Sequence, residues 1–331
     1  MVTAEIRFFV DNIMNSGNLL GLDRATIDVY LAEGIRSDEE PDLVLHVDSY
    51  TVLGGFLEAL MIKMFRDSME GGIGGVDWII SEYKSFVENI KDYEREIIAH
   101  TKRYFDKINN VADVIRGAGR KVRVYLSEIS SGVELYFSGR SEILKNHISR
   151  KINELSTEGI ENIAVLSPFE YSIYQRRYAI QASMLPFKLF FYPDLIMDII
   201  MRVSADGIRV TIFEPYIAPL SLFPLDLKSY TVEHLERIEK MIESIRGVSI
   251  VEHRYDDPPI GYEQLWMINP IISINMAKEI LERSREKCDV LVTMRTSTCM
   301  VLNVARELYG IDIRTYDYAD FVSKLILGAE L

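Results

Sequence analysis

The fold is decided by two stretches of similar design, KVRVYLSEISSG at residues 121–132 and NIAVLSPFE at residues 162–170. Each begins with a short apolar and β-branched run, which is typical of a buried strand. Each then passes into a turn that contains serine with glycine or proline, and a helix-like run follows. A strand that leads through a short polar turn into a helix is the repeating unit of a parallel sheet covered by helices.

The same alternation extends over most of the chain. Strands are predicted at 43–47, 122–126, 163–166, 187–192, 208–213, 248–252, 290–293 and 311–315. Amphipathic helices are predicted at 141–155, 171–182, 195–201, 231–245, 272–285, 300–309 and 318–326. We therefore expect an α/β protein whose parallel sheets are flanked by helices.

Two similar segments indicate an internal duplication: FFYPDLI at 190–196 and RTYDYAD at 314–320 each carry the end of a strand into a helix. The sequence therefore predicts a helical N-terminal segment at 1–40 and two similar halves, at 41–204 and 205–331, related by a pseudo-twofold axis. The boundary is predicted at Ser204-Ala205-Asp206-Gly207, which reads as a turn-rich linker.

Residues 66–119 are predicted to be a helical insertion in the first half. Apolar residues recur at helical spacing from Trp78 to Ile97, which predicts one amphipathic helix of about thirty residues. Its apolar stripe either packs on the protein's own core or forms a surface for a protein partner or a second copy of the chain. A broad exposed apolar face on residues 76–108 would favour the partner surface.

Composition excludes several classes of partner. With 331 residues the chain exceeds the usual size of a single core, which agrees with two halves. The formal net charge of −13 repels phosphate backbones, so we expect no nucleic acid. The most apolar stretch, 179–201, contains Lys188, Asp194 and Asp198, so we expect no membrane insertion.

Cysteine usage limits the redox chemistry. Cys288 and Cys299 are the two cysteines of the chain, fewer than the roughly four thiolates that hold an iron–sulfur cluster. Two thiols also cannot build a disulfide framework, and this usage fits a reducing cytoplasm. The first residues have no signal-peptide pattern. We therefore expect a cytoplasmic protein with no bound metal or cofactor.

The turn residues carry a resemblance to a known family. With cysteines in place of serines and Glu170, Ser130-Ser131-Gly132 and Ser167-Pro168-Phe169-Glu170 would become Cys-Cys-Gly and Cys-Pro-x-Cys. These paired motifs resemble those of the CCG (cysteine-rich) domain of heterodisulfide reductase B/D-like iron–sulfur oxidoreductases. The resemblance implies two CCG-like halves whose cluster ligands lie on loops at the strand ends.

The second half resembles the same family at two further places. Phe213-Glu214-Pro215-Tyr216 is similar to the family's Asp-Pro-Cys. Residues 288–293 resemble the strand before the second Cys-Pro-x-Cys, where Arg295 and Thr298 would replace the cysteines. Cys299 would match a cysteine only with a slip of one residue. The resemblance implies degenerate cluster-site positions at Ser130, Ser131, Gly132, Ser167, Glu170, Glu214, Tyr216, Arg295, Thr298 and Cys299.

Other candidate residues leave alternatives open. His253, Asp256 and Asp257 fit either a metal site or an acidic turn. Cys299 reads as a buried, inert thiol or as a thiol presented to a redox partner. Arg295, with the Arg176-Arg177 pair, either gives an anion-binding patch or lies in solvent. His46 reads as a satisfied, partly buried histidine, and three other histidines are predicted to be solvated: His100, His147 and His234.

Two functions follow as expectations. The first is a cluster-free, non-catalytic structural or regulatory subunit of a cytoplasmic redox complex. The alternative is a small-molecule-binding protein or oxidoreductase that uses a polar crevice between the two halves, since open α/β sheets place their sites at the carboxyl ends of strands.

Overall fold

The computed structural model describes residues 4–31, 34–72, 75–126, 130, 132, 135–136, 141–179, 185–214, 225–254 and 269–331. Ser131 and Tyr216, two of the predicted site residues, lie outside this part of the chain, as do Asp256 and Asp257.

Strands alternate with helices throughout. The first half contains α1 (Ala4–Ser16), α2 (Arg24–Leu31), β1 (Leu43–Val47), α3 (Ser49–Val52), α4 (Gly54–Gly71), α5 (Val76–Glu88), α6 (Glu94–Gly117), β2 (Val122–Leu126), α7 (Ser141–Thr157), β3 (Asn162–Val165), α8 (Pro168–Ile173), β4 (Lys188–Phe191) and α9 (Tyr192–Ile200). The second half contains β5 (Ser204–Phe213), α10 (Leu225–Glu243), β6 (Arg246–Arg254), α11 (Pro270–Ser284), β7 (Val290–Thr293), α12 (Thr296–Tyr309), β8 (Arg314–Asp317) and α13 (Tyr318–Leu327). A 3-10 turn (Ile90–Tyr93) precedes α6, and a π-helical turn (Tyr174–Tyr178) follows α8.

The strands form two parallel sheets of four strands, in the orders β2-β1-β3-β4 and β6-β5-β7-β8. The second order is the first with every strand number raised by four. All residues of β1 and β7 are buried, because helices cover both faces of a parallel sheet and its inner strands become continuously apolar. The predicted α/β class with parallel sheets flanked by helices is confirmed.

Polar caps start helices directly after strands. Asp48 follows β1 and accepts from the amide of Thr51 at 2.9 Å. Ser167 accepts from the amide of Glu170 at 3.3 Å and starts α8, with Pro168 in the first turn. Asp317 ends β8 and accepts from the amide of Asp320 at 3.1 Å. Such caps satisfy otherwise unpaired helix amides and place polar side chains at the carboxyl edge of each sheet.

The predicted single helix through residues 78–97 is wrong. Two helices, α5 and α6, are separated by the 3-10 turn. Asn89 ends α5: its amide nitrogen and its side-chain Nδ2 both donate to the carbonyl of Ser85, at 3.1 and 2.8 Å. A side chain that competes for a helical carbonyl in this way favours a helix end.

The apolar stripe of this region packs on the protein's own core. Ile79, Tyr83, Phe86 and Ile97 are buried, and Phe9 packs edge-on against Tyr83 with ring centres 4.8 Å apart. Among the described side chains of 76–108, Ile98 is the one large apolar residue that is exposed. The broad exposed face that would favour a partner surface is therefore not found there.

The segment predicted as a linker is part of a strand. Ser204 pairs with Arg246 in β6, and the register shifts before the next pair, Ile208 with Val248. Gly207 lies in this shift with φ of 66°, a conformation that favours glycine. A turn residue therefore marks an irregularity within β5 instead of a separate linker. No helix in the described part of the chain is long and apolar enough to cross a membrane.

Each half has a helix that packs against helices of the other half. Helix α6 of the first half packs against α13, and α10 of the second half packs against α8 and α9. The hydroxyl of Tyr318 donates to the carbonyl of Leu166, and the hydroxyls of Tyr192 and Ser323 are 2.7 Å apart. Residues at the carboxyl edges of both sheets therefore meet between the halves.

Candidate active site at the junction of the halves

The structure divides the predicted site residues. Ser167, Glu170, Glu214, Arg295, Thr298 and Cys299 follow the carboxyl ends of β3, β5 and β7. Ser130 and Gly132 follow β2, an edge strand, and their hydrogen bonds to Gly17, Tyr136 and His147 lie within the first half.

Ser130 has a structural environment. Its amide donates to the carbonyl of Gly17 at 2.9 Å, and its carbonyl lies 2.8 Å from Nε2 of His147. Gly132 has φ of 88°, and a Cβ there would lie 2.9 Å from Cδ1 of Leu144. The Ser-Ser-Gly turn therefore needs its glycine for backbone conformation and close packing.

The predicted solvation of three histidines is wrong, because His100, His147 and His234 are buried. Burial lowers the pKa of His147 and of His234 to about 4, so both rings stay neutral near neutral pH. Helix α7 and helix α10 each turn one of these rings toward the core.

His46 is fully buried, but neither ring nitrogen has a hydrogen-bond partner, which differs from the satisfied histidine that was expected. Its Nδ1 lies 3.5 Å from Oε1 of Glu170. Burial, with Lys151 adding to it, lowers the pKa of His46 to about 3. The pair therefore joins a neutral ring to a buried acid.

Arg295 is buried between the halves instead of lying in solvent. Its guanidinium carbon lies 4.4 Å from the ring centre of Phe169, a distance typical of a cation–π contact. Behind it, the hydroxyls of Ser297 and Thr298 are buried without a hydrogen-bond partner. The start of α12 is therefore a polar part of the interface.

A buried lysine that the sequence analysis did not single out joins the two halves. Lys107 on α6 is 4% exposed and forms an ion pair with Asp317 at the end of β8. Its Nζ also donates to Oγ1 of Thr296 at 2.9 Å, and Oγ1 of Thr51 lies 3.3 Å from that of Thr296. Burial alone would lower the pKa of Lys107, but the carboxylates of Asp317 and Asp48 outweigh it and raise the pKa. Lys107 therefore carries a positive charge.

A cavity of about 220 Å³ opens beside this lysine, between α6 of the first half and α12, β8 and α13 of the second. Its charged lining residues are Arg103, Asp106, Lys107, Arg306, Asp317, Asp320 and Lys324. Four cations therefore surround the cavity against three carboxyl groups. We call this region the charged junction.

Burial disfavours the charged forms of two ionisable groups of the charged junction, Cys299 and Asp320. Burial raises the pKa of the Cys299 thiol well above its usual value, so a thiolate is disfavoured. Burial and the neighbouring Asp317 raise the pKa of Asp320 to about 7. One carboxyl oxygen of Asp320, Oδ1, is buried without a hydrogen-bond partner.

A second buried acid orients the wall of the cavity. Glu58 on α4 is fully buried, forms an ion pair with Arg103 and accepts from the hydroxyl of Tyr104 at 2.6 Å. Burial, only partly offset by Arg103, raises the pKa of Glu58 to about 7. An acidic residue within an apolar run, here FLEAL at 56–60, is the sequence signal that could have identified Glu58 as a buried acid.

The two cysteines are placed apart. Cys288 precedes β7 and its thiol donates to the carbonyl of Ser284 at 3.4 Å, whereas Cys299 follows β7 in the first turn of α12. The thiols therefore lie at opposite ends of one strand. Among the described residues, no group of three His, Cys, Asp or Glu side chains is placed to hold a metal ion.

A second cavity, of about 360 Å³, lies at the amino ends of β1 and β3. Its charged lining residues are Asp42, Arg123, Glu158 and Glu161, and Asp42 already binds Arg120 and the amide of Lys121. Ligand sites of open α/β sheets lie at the carboxyl ends of strands. The charged junction is therefore the better candidate site.

Comparisons with known proteins do not assign the chain to a family. No family model matches it, and no curated protein matches it significantly. Significant matches among solved structures include a glutamate racemase from Aquifex pyrophilus. That match has 16% sequence identity and a TM-score of 0.30, and it covers 66% of this chain and 78% of the racemase. Similarity at this level supports no inference about a substrate.

Proposed function

We propose that this protein binds a small anionic molecule, bearing carboxylate or phosphate groups, in the charged junction. The observation that carries the proposal is the cavity of about 220 Å³ surrounded by four cationic side chains, one of them a buried lysine. This is the small-molecule binder expected as the alternative from the sequence, but its residues differ from the predicted serines.

The chemistry of the lining favours an anion. Arginine presents a planar fork that matches carboxylate and phosphate, and lysine adds a point charge. Arg306 on α12 is half-buried, and its guanidinium makes no hydrogen bond or ion pair with another described residue. Drug-sized ligands occupy about 300–1,000 Å³, so a smaller molecule fits this cavity.

The proposal is tested by calorimetric titration of the full chain with malonate and with sulfate. Arg306→Gln should weaken binding at least about tenfold, because a charge-assisted hydrogen bond contributes about 1.5–3 kcal/mol. Arg283→Gln is the matched control, since Arg283 is a solvent-exposed arginine on α11 paired with Glu279. Absence of saturable binding by the wild type, or equal effects of the two substitutions, would contradict the proposal.

A second proposal retains the resemblance to the CCG family: a cluster-free subunit of a cytoplasmic redox complex, with a protein partner. Its support is the separation of Cys288 and Cys299 by the length of β7, which prevents both from ligating one small cluster. A partner would use a surface other than the buried stripe of α5 and α6. Iron and acid-labile sulfide in stoichiometric amounts after anaerobic purification would overturn the cluster-free assignment.

A further inference from the structure

We propose that an anion binds in the charged junction together with one proton, which is taken up by Asp320. The inference rests on the proposed function and adds to it the coupling between ligand and pH. Asp320 is the third residue of α13 and lines the cavity. It is separate from the cap of its helix, because Asp317 supplies the capping carboxylate.

The geometry leaves Asp320 as the acceptor of the proton. Its Oδ1 is buried without a hydrogen-bond partner, whereas the nearby Asp317 is engaged by Lys107 and by Thr296. A protonated carboxyl group has an O–H that can donate to a bound anion, and an ionised one would repel it. A ligand in this cavity therefore favours the protonated form of Asp320.

The groups that face Asp320 come from every element around it. Its own helix and the strand before it contribute Asp317, Lys324 and Tyr316, and α9 contributes Tyr192. Helix α6 contributes Arg103, Asp106 and Lys107, and α12 contributes Arg306 and the Cys299 thiol. Lys107 is already paired with Asp317, and Nζ of Lys324 donates to the carbonyl of Glu330 at 2.9 Å. Burial and Asp317 together raise the pKa of Asp320 to about 7, which puts its titration near neutral pH.

The sign of the coupling follows from linkage. An added anion raises the pKa of Asp320 above its value in the free protein, so binding consumes a proton from solvent. Below about pH 7 Asp320 is already protonated, and affinity is constant with pH. Above that pH each bound anion must recruit a proton, so affinity falls by up to about tenfold per pH unit until the pKa of the complex is reached.

The experiment is calorimetric titration with sulfate, which stays fully ionised near neutral pH, at about pH 7.5 in two buffers that differ in ionisation enthalpy. For the wild type, the observed heat should differ between buffers by an amount that corresponds to uptake of up to about one proton. Asp320→Asn should still bind sulfate, with equal heats in both buffers and an affinity that no longer falls above neutral pH. Asp312→Asn, at an exposed aspartate before β8, should behave like the wild type.

Each outcome is informative. Binding by the wild type with identical heats in the two buffers overturns the proton coupling and leaves the proposed function standing. Proton uptake that persists in Asp320→Asn overturns the assignment to Asp320. Failure of the wild type to bind sulfate or malonate overturns the proposed function as well. The wild-type buffer dependence decides the coupling even where a variant fails to fold.

Discussion

The two junctions at which a helix of one half packs on the other half differ in chemistry. In the charged junction, α6 brings Lys107 against Thr296, Asp317 and the cavity. At the corresponding place, α10 packs on α8 and α9, where Tyr171, Phe191 and His234 pack with ring centres 4.8 to 5.3 Å apart. We call this second place the aromatic junction.

The difference shows what a duplicated architecture does and does not determine. The two sheets have the same strand order, and each half sends a crossover helix against the last helix of the other half. Helix α6 packs on α13, and α10 packs on α9. The side chains then decide the outcome: a buried cation and acids beside a cavity, or packed rings with the Arg237–Asp194 ion pair at the surface. The charged junction presents a buried lysine, Lys107, to a cavity, whereas the aromatic junction is filled by packed rings.

The largest effect is expected from Lys107→Met. This substitution leaves Asp317 buried without its cation, and breaking a buried ion pair from one side costs about 3–5 kcal/mol of unfolding free energy. Urea denaturation gives the value. Lys102→Met, at a solvent-exposed position of the same helix, should change stability by less than about 0.5 kcal/mol. Equal losses of unfolding free energy for the two variants would mean that the Lys107–Asp317 ion pair contributes no more to stability than an exposed lysine does.

The two junctions should respond to pH in opposite directions. Glu58 has a raised pKa of about 7, so its contribution to stability is complete below its ordinary pKa of 4.5. As the pH rises to about 7, this contribution is lost, and the free energy of unfolding falls by about 3 kcal/mol. His234 has a lowered pKa of about 4, so its contribution to stability is complete above its ordinary pKa of 6.5 and is lost as pH falls to about 4, by about 3 kcal/mol.

Urea titrations of Glu58→Gln and His234→Phe between about pH 4 and pH 8 separate these effects from those of other groups. Relative to the wild type, Glu58→Gln should gain stability as pH rises, and His234→Phe should gain stability as pH falls. Parallel pH profiles for the wild type and both variants would remove this contrast between the junctions.

The fold was predictable because its signals are local. The strands predicted at 43–47 and 290–293 match β1 and β7. A short apolar run that is bounded by turns and followed by a helix predicts a buried strand. Boundaries failed where side chains act across a few residues, as at Asn89, or where a strand continues through a glycine, as at Gly207.

The site was less predictable because it is assembled from residues far apart in the chain. Lys107, Thr296 and Asp317 meet only after the halves pack. A local signal did exist: Lys107 lies three residues after Tyr104 and four before Val111, on the buried face of α6. Ser130 was predicted as a site residue because of the family resemblance, but its hydrogen bonds with Gly17 and Gly132 lie within the first half.

A smaller effect, about 1–3 kcal/mol, is expected from Gly55→Ala, which should disturb the packing that supports the charged junction. A Cβ at residue 55 would lie 2.0 Å from Oγ1 of Thr101 and 2.7 Å from the carbonyl oxygen of Ile97, so α4 and α6 would have to separate. Gly71→Ala at the end of α4 meets nothing within 4 Å and should leave stability unchanged or raise it slightly. Comparable unfolding midpoints for the two variants would show that α4 and α6 tolerate a wider spacing.

The smallest effect is expected at the surface of the aromatic junction. The side chains of Arg237 and Asp194 are 37% and 40% exposed, so water screens their ion pair. A double-mutant cycle with Arg237→Leu and Asp194→Asn should therefore give a coupling energy of less than about 1 kcal/mol. The single Arg237→Leu substitution can cost more than this coupling, because the arginine also packs over Phe191 at 5.9 Å. A coupling energy of about 3 kcal/mol or more would place this pair beside Lys107–Asp317, and electrostatics would then no longer distinguish the two junctions.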